Sequence, residues 1–185
     1  MRLTEIAQKW LAEVIREGDV AVDATLGNGA DALFLAKHIG ETGILFGFDV
    51  QKQAIEVSQA LLGNQPCQQF LFLTGHEAMR ENIPERFHGH IKAVMFNLGW
   101  LPNSDKSIIT KADTTMSALK QSLDLLTKQG RMTVMVYPGH QGGDTEAEQV
   151  MLWLEQACIH PAFTLNQIIL PNSPTAPILL QVTKL

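Results

Sequence analysis

The sequence predicts an α/β protein built on a mostly parallel seven-stranded sheet that closes with a C-terminal antiparallel hairpin. Two observations carry the parallel part. Short, nearly unbroken apolar segments alternate with segments of helical periodicity, and that alternation implies a parallel sheet covered by helices on both faces. The third observation concerns the end of the chain. There "FTLNQIIL" and "APILLQVTKL" are separated only by "PNSPT", a connection short enough for antiparallel strands.

The elements follow in order. Leu3, Ile6, Ala7, Trp10, Leu11, Val14 and Ile15 recur at helical spacing, so residues 3 to 17 read as an amphipathic helix stopped by Gly18. "VAVDA" is a first strand, "TLGNGAD" a glycine turn, and "ALFLAKHI" a helix ended by Gly40. "GILFGFD" is the second strand and "QKQAIEVSQALLG" the next helix. "QFLFL" is the third strand, followed by a short helical piece after "TGHE", and "IKAVMFN" is the fourth. A long polar loop from Leu98 to Lys111 precedes a helix through "ALKQSLDLLTK". Gly130 introduces a fifth strand, "RMTVMVYP", and "DTEAEQVMLWLEQA" is the last helix before the hairpin.

With 185 residues the chain is long enough for one sizeable core, and a single domain over residues 1–185 is expected. Hydrophobic residues at 45% against 18% charged fit a globular protein rather than a disordered one. A net charge of −5 argues against non-specific coating of nucleic acid, which requires many phosphates to be neutralised, and leaves room for a local basic patch. No apolar run has the length of a membrane span and the N-terminus has no signal-peptide core, so no membrane partner and a cytoplasmic location are expected. Cys67 and Cys158 stand far apart and read as buried small hydrophobes in a reducing compartment.

Parallel sheets of this kind bind ligands at the carboxyl ends of their strands, where "TLGNG", "FD", "GHE" and "NLGW" all fall. "DATLGNGADA" matches G-x-G-x-x-A, with Gly27 and Gly29 in the turn and Ala32 at the position for close helix packing. Asp49 ends the next strand, where a carboxylate accepts both hydroxyls of a ribose. Together they point to an adenosine-type cofactor. Asp23, at the end of the first strand, would repel a pyrophosphate but suits the ammonium of a methionine moiety, which favours S-adenosylmethionine over a dinucleotide.

The other turn residues have two readings each. Asn28 bonds the cofactor's carboxylate or relaxes a left-handed backbone. Asp31 contacts the ligand or caps the following helix. Gln51 reaches the adenosine or begins a helix, and His76 and Glu77 flank an adenine or form a solvated loop pair. In "FNLGW", Asn97 presents a carbonyl that holds an amine near the cofactor's methyl end. Gly99 permits close approach, and Trp100 offers a flat surface for a base.

"NLGW" keeps the first and last members of the Asn/Asp-Pro-Pro-aromatic tetrapeptide of amino-group methyltransferases and lacks both prolines. More broadly, "VDATLGNGADALFLA", "GFDVQ", "GHE", "FNLGWLPNSDKSIITKADTT" and "YPGHQGG" resemble, in order and spacing, the YtqB/MnmM-type methyltransferases. That resemblance implies the Rossmann-like class I methyltransferase fold. It also implies S-adenosylmethionine as cofactor and tRNA as substrate, methylated on the aminomethyl side chain of a modified wobble uridine. It places Asn28, Asp31, Asp49, Gln51, His76 and Glu77 at cofactor positions, and Asn97, Asp105 and Lys106 in the substrate segment. Three departures stand out: Trp100 replaces a usual tyrosine, Asn103-Ser104 replaces a pair that commonly carries glycine, and Ala32 replaces a common threonine.

For catalysis, Asn97 is expected to orient the substrate amine while Asp105 or His140 takes its proton. Lys106 and Lys111 are candidates for phosphate contacts, the anticodon arm for the bound element, and a homodimer for the assembly. "HGH" at His88–His90 lacks a third ligand or helical spacing, so no metal is expected. Methylation of rRNA or of a small amine is compatible with the same cofactor half. A nicotinamide-dependent oxidoreductase or a cofactor-binding module without catalysis would share the glycine turn.

Overall fold

The computed structural model describes residues 2–99, 112–138, 143–169 and 176–185. Strands β1 (Val20–Asp23), β2 (Ile44–Asp49), β3 (Gln68–Leu73), β4 (Ile91–Asn97), β5 (Leu126–Val136), β6 (Phe163–Ile169) and β7 (Ile178–Lys184) form one sheet. Their order is β3-β2-β1-β4-β5-β7-β6. The first five run parallel, and β7 is antiparallel to both β5 and β6. The expected parallel sheet and closing hairpin are both present.

Chain order and spatial order part at β1. From it the chain winds outward to β2 and β3, then returns across to β4 on the other side. That reversal opens a crevice between the carboxyl ends of β1 and β4, the place where such sheets take their ligands.

Each face of the sheet buries its own cluster. Val22, Phe46, Phe48, Val94, Phe96, Val134 and Val182 pack under α4 (Met79–Asn82), α5 (Ala112–Leu125) and α6 (Gly143–Ala157). The opposite face carries the alternate residues Ala21, Leu45, Ala93, Met95 and Leu179 beneath α1 (Leu3–Ala12), α2 (Ala30–Ile39) and α3 (Lys52–Leu62). Its alanines let the helices sit close to the backbone. Lys184 joins sheet to helix by donating to the carbonyls of Leu123 and Asp124, which α5 leaves unsatisfied at its end, and to that of Leu126, which opens β5.

Two boundaries differ from expectation. Helix α1 stops at Ala12 instead of 17, because Arg16 offers local alternatives to further helix. Its guanidinium donates to the carbonyls of Glu13 and Ile15, while its amide donates to Asp19 Oδ2 at 2.7 Å. Strand β5 begins at Leu126, before Gly130 rather than after it. Its register against β4 slips there, Ile91 facing Leu126 and Ala93 facing Arg131, and Gln129 takes φ +60° to absorb the extra residues. A Cβ on Gly130 would lie 2.8 Å from the Thr127 carbonyl, so only glycine fits the slip.

Helix α1 is fixed to the sheet at two levels. Leu3, Ala7 and Leu11 form its buried stripe. Arg131 of β5 then donates to the Trp10 carbonyl and to Glu13 Oε2, and its guanidinium lies 4.4 Å from the Trp10 ring centroid.

Candidate functional site

The glycine turn between β1 and α2 forms because two backbone positions need a left-handed conformation. Gly27 has φ +51° and Gly29 φ +77°. Asn28, exposed between them, is not left-handed, so the expectation that it relaxes such a backbone does not hold: the glycines on either side do that. Gly29 also touches α3, where a Cβ would meet Ser58 Oγ at 2.9 Å.

Asp49 ties the turn to the second strand. Its Oδ2 accepts the Gly27 amide and its Oδ1 the Gln51 amide, each at 2.9 Å. A carboxylate has about four lone-pair sites, so acceptor capacity remains for a ribose after these two bonds. Gln51 stands at the N-cap of α3 with its side chain making no capping bond. Of its two readings, the helix start is therefore met by its backbone, whose amide bonds Asp49, and the residue is half-buried.

Asp23 closes β1 and is 1% exposed. Its Oδ1 accepts the Thr25 amide at 3.1 Å, and its Oδ2 has no hydrogen-bond partner. Burial foremost, then the charge of Asp31, pushes this carboxyl up to about 8, with the amides of Thr25 and Ala32 acting against the rise and Asp49 adding to it. A buried acceptor without a donor is costly in the free protein, and a cationic ligand group seated against it would remove that cost.

Asp31 does not cap α2. Gly29 holds the N-cap position, and the Asp31 side chain, 8% exposed, turns back across the strand tips. Its Oδ1 accepts from Gln8 Nε2 of α1 at 2.8 Å, and its Oδ2 accepts a short hydrogen bond from Asn97 Nδ2. Burial raises its pKa while the bonds from Gln8 and Asn97 lower it, with a net rise.

Asn97 ends β4 directly across the crevice. Its amide donates to Thr25 Oγ1 at 2.7 Å, which fixes the strand tip against the β1 turn. The Tyr137 hydroxyl, just past β5, lies 3.4 Å from Asn97 Oδ1. The side chain therefore has a defined sense: its NH2 faces the carboxylate and its carbonyl faces Tyr137 and the crevice. Gln8, Thr25 and Tyr137 were not among the residues the sequence singled out. A hydroxyl two residues after Asp23 and a tyrosine at the end of the fifth strand were the available signals for two of them; Gln8 left none.

His76 does not stand in a solvated loop. It is buried, its Nδ1 donates to the Ala24 carbonyl at 3.2 Å, and its ring meets Phe96 edge-on with centroids 5.6 Å apart. Burial lowers its pKa, against the raising influence of Glu77, the Ala24 bond and the more distant acids Glu146 and Asp49. It props the β1 tip as a neutral ring rather than standing in solvent. Glu77 is exposed, with its carboxylate over Gly75, where a Cβ would meet Oε2 at 2.2 Å. His88 donates from Nε2 to the Ile83 carbonyl at 2.8 Å. Trp100, Asp105, Lys106, Lys111 and His140 lie outside the described residues.

The residues in place fit S-adenosylmethionine. A left-handed glycine turn clears room for the backbone to approach a ligand, Asp49 keeps acceptor capacity for a ribose, and the unpartnered Asp23 oxygen awaits a cation. Among the described residues no helix is long and apolar enough to cross a membrane.

Comparison with known proteins agrees with this arrangement. The family model described as "Putative rRNA methylase" matches residues 45–183. The chain is 40% identical over 160 residues to the chloroplastic tRNA (mnm(5)s(2)U34)-methyltransferase of Arabidopsis thaliana, an overlap covering 80% of this chain and 57% of that one. It thus spans a little over half the length of that relative. A protein of Clostridium thermocellum described as "putative rRNA-methylase" superposes with a TM-score of 0.93 at 35% identity, covering 100% of this chain and 98% of the other. A protein of Streptococcus mutans described as "a putative methyltransferase", in complex with SAH, gives 0.87 at 32% identity and covers 100% and 99%. With the class I methyltransferase architecture, the crevice residues and these relatives in agreement, the chain belongs to the rRNA methylase family.

Proposed function

We propose that this protein is an S-adenosylmethionine-dependent methyltransferase acting on an amino nitrogen in RNA. The substrate we assign is the aminomethyl group of 5-aminomethyl-2-thiouridine at the tRNA wobble position. The observation that carries the reading is the orientation of Asn97: its NH2 bonds Asp31, so the group turned away from Asp31 is a carbonyl, whose oxygen takes the Tyr137 hydroxyl and keeps a second lone pair suited to an amine N–H. The name of the Arabidopsis thaliana relative supports the choice of tRNA and of a methylaminomethyl product.

When bound, S-adenosylmethionine supplies the sulfonium methyl. Asp49 and the Gly27–Gly29 turn hold the adenosine end, Asp23 and Asp31 face the methionine end, and Asn28, Gln51, His76 and Glu77 border the same pocket. Asn97 holds the substrate amine so that its lone pair faces the methyl in line; positioning of this kind supplies much of the rate of such displacements. A primary alkyl amine, with a pKa of about 10, arrives protonated and must lose a proton before it attacks. Asp105 or His140 accepts it, with Asp105 as electrostatic partner of the cation. Trp100 stacks on the base, and Lys106 and Lys111 meet phosphates of the anticodon arm. The whole chain acts as one catalytic domain, paired in a homodimer and working in the cytoplasm.

The test is transfer from labelled S-adenosylmethionine to tRNA that carries 5-aminomethyl-2-thiouridine, followed by nucleoside analysis. The methylaminomethyl nucleoside is expected with the wild-type protein. Asn97→Ala should lower turnover by about 100-fold or more while S-adenosylhomocysteine still binds. Cofactor binding without any transfer to this tRNA would redirect the substrate assignment to rRNA or a small amine.

A further inference from the structure

The acceptor face of Asn97 depends on a residue far from the strand tips. Asp31 can hold the Asn97 NH2 only while its Oδ2 is a bare acceptor turned toward β4. A carboxyl group rotates freely about its last bond, and one that takes up a proton becomes a donor. Two features keep Asp31 in the acceptor state: the Asn97 bond itself and the 2.8 Å bond from Gln8 Nε2 to Oδ1. Gln8 is half-buried on α1, the helix that Arg131 and the Leu3, Ala7 and Leu11 stripe fasten to the sheet. A donor carried on so firmly held an element sets both the rotation and the charge of the carboxylate it reaches.

We propose that Gln8 is a positioning residue for methyl transfer: through Asp31 it fixes the side-chain amide of Asn97 with the carbonyl toward the substrate amine. This inference rests on the role given to Asn97 above. Without the Gln8 donor, Asp31 rotates or takes up a proton, and the Asn97 amide is free to turn over. An NH2 would then face the amine, repelling its protonated form and tying up the lone pair that its neutral form needs for attack. The adenosine end is left intact, since Gln8 makes no contact with the glycine turn or with Asp49. Asp31 also faces the methionine end, so a smaller loss of cofactor affinity accompanies the loss at the chemical step.

Gln8→Met keeps the length of the side chain and removes its donor; Gln8→Lys restores a donor on a flexible side chain one bond longer. In the full-length protein, Gln8→Met should lower kcat on the aminomethyl-bearing tRNA by about tenfold, with a smaller rise, about threefold at most, in the Kd for S-adenosylhomocysteine. Gln8→Lys should recover most of the rate. In an Asn97→Ala background, Gln8→Met should cost less than about twofold, because the residue through which it acts is gone. A readout independent of turnover is the side-chain NH2 resonance pair of Asn97 in nitrogen-15-labelled protein, assigned by its absence in Asn97→Ala. That pair should shift in Gln8→Met and return in Gln8→Lys.

An unmoved Asn97 resonance, an unchanged kcat, a parallel loss of cofactor affinity, or multiplicative losses in the double variant would each overturn the proposal. The failures are separable. A wild-type protein that does not methylate this tRNA refutes the substrate assignment, while the resonance measurement still decides whether Gln8 orients Asn97.

Discussion

Replacing Asp23 by asparagine should make the protein more resistant to alkaline pH while weakening its hold on the cofactor. The carboxyl at the end of β1 is buried with one oxygen unpartnered, and its folded-state pKa is pushed to about 8 by burial and by Asp31. In the unfolded chain an aspartate titrates near 4, so at about pH 7 the folded protein keeps a proton that the unfolded chain has already lost. Stability contributed by that proton is fully present below the unfolded pKa and declines as pH rises until the folded carboxyl ionises. Between about pH 7 and 8.5 the loss integrates to about 1 kcal/mol, or roughly 2–4 °C in Tm for a chain of this size.

Asparagine keeps the carbonyl that accepts the Thr25 amide and cannot ionise. The variant's stability should therefore fall less over that window. Urea unfolding of the ligand-free protein at several pH values measures both curves. An equal slope in the two proteins, or wild-type stability that rises with pH across the window, would refute the reasoning. Titration with S-adenosylhomocysteine should meanwhile give a Kd at least about tenfold weaker in Asp23→Asn, the cost of losing a charged partner for the cofactor's ammonium.

Gly29→Ala should destabilise by about 2–4 kcal/mol in urea unfolding, since φ +77° strains an L-residue and the new Cβ would press on Ser58 at 2.9–3.2 Å. Arg131→Met should cost about 2 kcal/mol through the lost Trp10 stacking and the bonds to Trp10 and Glu13, with faster hydrogen exchange confined largely to α1. His76→Gln should flatten the acid limb of stability. The burial-lowered pKa of His76 means that its contribution is present above the unfolded value, about 6.5, and is lost as pH falls through the folded one. An acid limb as steep in His76→Gln as in wild type would show that another group carries it.

Periodicity and strand chemistry made much of this molecule legible before folding was considered. The runs of β1, β2 and β4 are apolar because segments buried on both faces leave little room for polar residues, and each ends in a polar residue at the sheet's carboxyl edge. For that reason Asp23, Asp49 and Asn97 stand out as polar residues at strand tips, and Gly27 and Gly29 mark a turn that an L-residue would strain. The ends of α1 and β5 were less legible, because Arg16 and the slip at Gln129 are decided by local hydrogen bonds that hydrophobic spacing does not record.

Tertiary structure alone decided which strand tips face each other and what each polar group bonds. Asp31 and Asn97 are 66 positions apart and meet because β1 and β4 are neighbours in the sheet; Gln8 reaches them because Arg131 and an apolar stripe lay α1 across the same edge. His76 turned inward because the Ala24 carbonyl offered its ring a partner and Phe96 a surface. Burial along a strand is written in the strand's own residues. The partner of a polar side chain is set by whichever distant element packing brings within about 3 Å.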